Sequence, residues 1–128
     1  MKEPVWIGLN ETLALHDMQL AAFGGKAGVR DMGLLESALA RPRNLITYEK
    51  AKPSMQRLAA AYAFGIVKNH PFFDGNKRTG LIVAFVFLEL NGIEVRASEE
   101  DAYQSFIDLA SDKLEAKELA AWLVLNTK

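Results

Sequence analysis

The sequence predicts a single, mainly α-helical domain over residues 1–128, with about six helices and at most a minor short β element. Three observations predict it. Apolar residues recur at helical spacing in one segment after another, and capping or stop residues (Ser, Asp, Gly, Asn-Gly, Pro) punctuate those segments. The chain has 128 residues, enough for one real core and too few for two. Its composition, 50% hydrophobic and 24% charged, is that of an ordinary globular domain.

Taken in order, Val5-Trp6-Ile7 reads as a short strand ended by Gly8. Asn10 reads as the N-cap of the first helix, whose apolar positions are Leu13, Leu15, Met18, Leu20, Ala22 and Phe23, up to Gly24-Gly25. His16 lies inside this helix and reads as a structural histidine. Pairing it with His70 as metal ligands would leave the ion without a third ligand. The run Gly24 to Gly28 reads as a helix stop and turn, since it lacks the G-x-x-x-x-G-K-[ST] spacing and follows no clear strand. Asp31 is expected to cap a short helix, Gly33 to Ala40, which Arg41-Pro42 ends. Arg43 to Pro53 is polar and proline-bounded, an exposed connection in which Tyr48 and its charged neighbours read as solvated. Ser54 caps the next helix, with Met55, Leu58, Ala59, Tyr62 and Ile66 on one face.

A further helix, about Gly75 to Asn91, is apolar nearly all round and is expected at the centre of the domain. Asn91-Gly92 ends it, and Ile93-Glu94-Val95 is a second candidate strand. Ser98 opens a helix in a near capping box, burying Ala102, Phe106 and Leu109. Ser111 or Asp112 caps the last helix, in which Leu114, Leu119, Trp122, Leu123 and Leu125 face inward. Between Glu94 and Glu118 acidic residues outnumber basic ones, which reads as a solvated acidic face.

Charge and composition exclude several classes of function. A net charge of −1 supplies no field for direct nucleic-acid binding or for an anionic membrane. The absence of cysteine excludes disulfides, thiolate catalysis and Cys-ligated metals. The start, M-K-E-P-V-W-I-G, lacks the apolar core of a signal peptide. The longest apolar run, Leu81 to Leu88, falls far short of the roughly 18 residues of a membrane span. A cytoplasmic location is the expectation.

Chemistry concentrates in Asn69 to Gly80, N-H-P-F-F-D-G-N-K-R-T-G, which joins a helix at Gln56 to Lys68 to the apolar segment from Leu81. Asp74 is expected to cap the second helix, leaving the backbone N–H groups of Gly75, Asn76 and Lys77 without intrahelical partners. Those donors and the positive end of the helix dipole make an anion site. Gly75 has no side chain, so a phosphate can approach the backbone, and Lys77 and Arg78 add positive charge, Arg78 with bidentate geometry. Asp74, the one carboxylate of the loop, is the candidate ligand for a Mg²⁺ that bridges phosphate oxygens. His70 stands where a neutral imidazole can take a proton from an attacking hydroxyl. Asn76 reads as orienting the loop or the phosphate, Phe72 as core, and Pro71 and Thr79 as structural.

The string H-P-F-F-D-G-N-K-R-T-G closely resembles the Fic/Doc signature, H-x-F-x-[DE]-[AG]-N-[GK]-R. Lys77 stands where AMP-transferring Fic proteins usually have Gly, and Leu81 where they usually carry a second Arg. Both match the death-on-curing (Doc) branch of toxin–antitoxin systems. Gly75 in place of the usual Doc Ala is a Fic-like feature. The string G-G-K-A-G-V-R-D-M-G-L-L-E-S-A-L-A-R-P also resembles that branch, so the likeness covers roughly Leu15 to Pro42 and Arg57 to Gly92.

The resemblance implies a helical Fic/Doc fold. It implies transfer of the γ-phosphate of ATP, with Mg²⁺, to a Thr or Ser hydroxyl of a translation factor, elongation factor Tu being the leading candidate. The catalytic residues would be His70, Asp74, Lys77 and Arg78, the nucleotide contacts Gly75, Asn76, Lys77 and Arg78, and the metal ligand Asp74. Arg43 to Pro53 would form a flap beside the active site. The implied partner is a separate antitoxin, whose C-terminal segment docks as a helix. A built-in inhibitor of the form [ST]-x-x-x-E-[GN] has its nearest match at Ser111 to Glu115, where Ala116 breaks the pattern. AMP transfer and non-catalytic nucleotide binding are the competing readings.

Overall fold

A computed structural model describes residues 3–128, so the first two residues of the expected domain lie outside the described residues. Six helices follow one another: α1 (Leu9–Phe23), α2 (Met32–Tyr48), α3 (Met55–Asn69), α4 (Asn76–Leu90), α5 (Glu99–Ala110) and α6 (Ala116–Leu125). The mainly α class and the helix number are as the sequence predicts. Among the described residues, β structure is confined to two isolated antiparallel bridges, Val29 with Phe72 and Val95 with Thr127.

The centre is α3 rather than α4. It packs against α2, α4, α5 and α6, and it buries Leu58 to Ala63 and Gly65 to Val67. The reason is its small side chains, which let neighbouring helices approach from several directions. A Cβ on Gly65 would lie 2.9 Å from Ala38 Cα, closer than packing permits, so this contact with α2 requires glycine. Helix α4 packs beside α3, between α1 and α5, and its end emerges with Leu90 exposed.

Pro42 does not end α2. It is buried within the helix, which continues to Tyr48 and shortens the expected Arg43–Pro53 connection. Proline removes one intrahelical bond and crowds the preceding turn. Here Leu39 and Leu45, on either side, pack against the core and carry the helix through. The caps at Asp31 and Ser54 are as predicted, accepting from Leu34 N at 3.0 Å and from Arg57 N at 3.0 Å.

Val5 to Ile7 forms no strand, because side chains satisfy its backbone. Asn91 Oδ1 accepts from Val5 N and Asn91 Nδ2 donates to Val5 O, while the Tyr62 hydroxyl accepts from Ile7 N and donates to Ile7 O. Gly8, not Asn10, is the N-cap of α1, and Glu11 Oε1 accepts from Gly8 N at 3.0 Å. The α1 face also differs from the apolar pattern. Its buried residues are Thr12, His16 and Gln19, whereas Met18 and Phe23 are exposed.

Ile93 to Val95 pairs only minimally with the C-terminus, through Glu94 with Lys128 and Arg96 N with Asn126 O. Ser98 caps α5 as expected, and Ala102, Phe106 and Leu109 are buried. Ser111 and Asp112 close α5 rather than open α6, since Ser111 N donates to Ile107 O and Asp112 N to Leu109 O. Glu115 is the N-cap of α6, held by Glu118 Oε1 on its N–H. Leu119 and Leu123 are buried and Leu114 and Trp122 pack on the core, but Leu125, past the last inward turn, is 84% exposed. The acidic residues from Glu94 to Glu118 are exposed, apart from half-buried Asp108.

Candidate active site

The motif forms the corner between α3 and α4, and the glycine-rich run after α1 backs it. His70 is the C-cap of α3, in the left-handed conformation at φ 52. For a non-glycine residue that conformation costs roughly 1–3 kcal/mol and persists only where surrounding structure holds it. Arg30 does the holding: its Nε donates to His70 O at 2.8 Å and its Nη2 to Asn69 O at 3.1 Å. The backbone N–H groups of Arg30 and Asp31 both donate to Pro71 O, and Phe73 N donates to Gly28 O. The His70 side chain is thereby left at the surface of the corner.

Beneath it, Phe72 is fully buried and stacks on His16 with ring centroids 3.7 Å apart. The Asn76 carboxamide orients the loop, as one of its two predicted roles required. Its Oδ1 accepts from Phe72 N and its Nδ2 donates to Phe72 O, both at 3.0 Å. His16 Nε2 donates to Asp74 O at 2.8 Å; a carbonyl can only accept, so that nitrogen carries the hydrogen. The reading of His16 as structural is correct, and its partner is the motif itself.

Asp74 does not cap α4. Its carboxylate is taken by Lys26 N at 2.6 Å, so the cap position passes to Gly75, left-handed at φ 81. Thr79 N, bonded to Gly75 O, is the first α4 amide with an intrahelical acceptor, and no side chain caps the helix. The open donors at the helix start are therefore those of Asn76, Lys77 and Arg78, one residue beyond the expected set.

All six predicted residues, His70, Asp74, Gly75, Asn76, Lys77 and Arg78, line one cavity of about 710 Å³. Lys77 is exposed, whereas the Arg78 guanidinium lies between the rings of Phe23 at 3.7 Å and Tyr103 at 4.7 Å. That sandwich fixes the cation's position without neutralising its charge. No group of three or more His, Asp or Glu able to hold a metal occurs among the described residues. A Mg²⁺ here would fit Asp74 as one carboxylate ligand, the remaining oxygens coming from phosphates and water.

Leu81 is packed against the core and does not line the cavity, so no second guanidinium enters at that position. Tyr48 lines a separate cleft with Arg57 and Phe64. Sequence reasoning missed Arg30, Gln19, Phe23 and Tyr103. Phe23 was counted as core, and the other three carry no local signal, being distant from the motif in sequence.

A helical domain that presents this signature at a helix N-terminus is a defined class, and comparison with known proteins agrees. The family model described as the Fic/DOC family matches residues 6–88. The chain is 43% identical over 76 residues to Toxin Doc of Mycolicibacterium smegmatis, covering 59% of this chain and 58% of that protein. It is 35% identical over 94 residues to Protein kinase doc of Escherichia phage P1, covering 73% of this chain and 74% of that protein. The chain belongs to the Fic/DOC family, in its Doc toxin branch.

Proposed function

We propose that this protein is the toxin of a toxin–antitoxin pair and acts as a protein kinase in the cytoplasm. It transfers the γ-phosphate of ATP to a Thr or Ser hydroxyl of a translation factor, elongation factor Tu first among candidates, and so arrests growth. The observation that carries this reading is the convergence of His70, Asp74, Lys77, Arg78 and the open amides of α4 on one cavity. The name Protein kinase doc, borne by a relative at 35% identity, supports the reaction class.

In this reading the amides of Asn76, Lys77 and Arg78 bind the phosphate chain, with the α4 dipole behind them. His70 takes the proton of the target hydroxyl, whose oxygen forms the new bond to the γ-phosphorus as the bridging P–O bond breaks and ADP leaves. Lys77 and Arg78 stabilise the charge that develops on the transferring and leaving groups. Asp74, its carboxylate oriented by Lys26 N, is the residue that would hold Mg²⁺, which neutralises phosphate charge when bound. Hydrogen bonds from Arg30, His16 and Asn76 hold the corner around His70 and Gly75, as positional catalysis requires.

AMP transfer is the second reading, favoured by Gly75; the core-packed Leu81 speaks for the first. A separate antitoxin is the inhibitor in our proposal. Glu115, the acidic residue of the imperfect built-in pattern, lines a cleft other than the motif cavity.

The test is label transfer to purified elongation factor Tu and to lysate, with γ-labelled and α-labelled ATP in parallel. Transfer from the γ position alone, reduced at least ~100-fold by His70→Ala, is the expected result. Label from the α position would establish nucleotidyl transfer instead. ATP binding with no label from either position would leave only a nucleotide-binding module.

A further inference from the structure

We propose that Gln19 is a phosphate-binding residue of this site, its Nε2 donating to the phosphate chain through the space that glycine at position 75 leaves open. The inference rests on the reading of the cavity as a nucleoside triphosphate site and adds to it a residue from outside the motif.

Gln19 belongs to α1, far from the motif in sequence, yet it lines the motif cavity together with Gly75, Lys77 and Arg78. Its side chain is 2% exposed, and Nε2 is buried without a hydrogen-bond partner among the described residues. Buried amide donors are ordinarily paired, so an unpaired one at the wall of a cavity points to an acceptor that the protein does not itself supply. The neighbouring α4 amides, at the positive end of the helix dipole, mark the same place as one for an anion.

The second observation is steric. A Cβ built on Gly75 would lie 1.9 Å from Gln19 Nε2, 2.8 Å from Cδ and 3.1 Å from Oε1. The carboxamide therefore lies over the Gly75 α-carbon and occupies the volume of a methyl group. Glycine at 75 and glutamine at 19 are a matched pair: an alanine at position 75 would displace this side chain. The positive φ of Gly75 adds to the requirement for glycine.

The experiment measures binding of ATP, inorganic tripolyphosphate and adenosine to the full chain by calorimetry. The proteins compared are the wild type, Gln19→Leu, Gln19→Glu, Gly75→Ala and the double variant Gln19→Asn/Gly75→Ala. Loss of one hydrogen bond to a charged group predicts about tenfold weaker ATP and tripolyphosphate binding by Gln19→Leu, with adenosine binding unchanged. Gln19→Glu is expected to be weaker still, because a carboxylate repels the anion. Gly75→Ala is expected to lose phosphate affinity, and the double variant to recover part of it by withdrawing the carboxamide one methylene.

Wild-type binding that Gln19→Leu leaves within twofold would overturn the proposal while the nucleotide site stands. If Gln19 instead caps α4 through its oxygen, Gln19→Glu will melt no lower than wild type and bind tripolyphosphate as well, which also overturns it. Failure of the wild type to bind ATP or tripolyphosphate would remove both the site reading and this inference.

Discussion

Helices α1 and α3 have the same length, 15 residues each, and opposite interiors. The buried side of α3 is Leu58 to Ala63 and Gly65 to Val67, with the Tyr62 hydroxyl as its one polar group. The buried side of α1 is Thr12, His16 and Gln19, a stripe at helical spacing made wholly of polar side chains. One helix excludes water and holds the domain together. The other buries hydrogen-bonding groups, and two of them, His16 and Gln19, lie against the motif, where a polar interior can orient a loop. Buried polar groups stabilise little unless paired, so their presence in α1 is a mark of positioning rather than of cohesion.

The largest stability effect is expected from the α3 side. Ile66→Ala, at a fully buried position, should lower stability by about 2–5 kcal/mol, read by thermal or urea unfolding. Per folded molecule, the proposed phosphate transfer should change little; a large fall in specific activity would mean that α3 also shapes the site.

His16→Ala reverses that ratio. It removes the bond to Asp74 O and the stack on Phe72, at about 1–3 kcal/mol of stability. The loop carrying Asp74 and Gly75 then loses its support, and transfer is expected to fall about tenfold or more, since small misplacement of positioned groups is costly. Equal unfolding and activity losses in the two variants would erase the distinction between the helices.

Tyr62→Phe tests the polar contact of α3. The hydroxyl serves both backbone groups of Ile7, and its loss should cost about 1–3 kcal/mol with little effect on transfer. Burial raises the Tyr62 pKa above its ordinary 10.0, against the opposing pull of the Ile7 hydrogen bond. The unfolded phenol therefore ionises first as pH rises. Its contribution is fully present below about pH 10 and is lost as pH climbs from there through the native value. Unfolding of the Phe variant, followed across that window, should lack this component of the alkaline decline.

Much of the candidate site was legible because its residues are neighbours in sequence. His70 to Arg78 is one continuous stretch, and a helix start places its amides and cations in one spot whatever the remainder of the fold does. The cap was misplaced by one residue, since the competitor for the Asp74 carboxylate is Lys26 N, 48 residues away. The α1 face was misjudged because periodicity assumes that buried means apolar. Leu15 packs against the core as the apolar stripe implies, but Met18 and Phe23 are exposed and Phe23 serves Arg78, while Thr12, His16 and Gln19 fill the rest of the inward face. Pro42 was taken as a stop for a similar reason: sequence shows the lost bond, not the packing of Leu39 and Leu45 that compensates for it.

By itself the sequence determined the helical class, the α3–α4 corner and which polar and charged side chains gather there, because periodicity, capping and a compact motif act over a few residues. Tertiary structure alone decided which helix is central, what orients Asp74 and His70, and why position 75 is glycine. The first depends on how four helices pack on α3 and the others on Arg30, His16, Lys26 and Gln19 reaching the motif from elsewhere in the chain, and contacts between distant segments leave no local pattern to read.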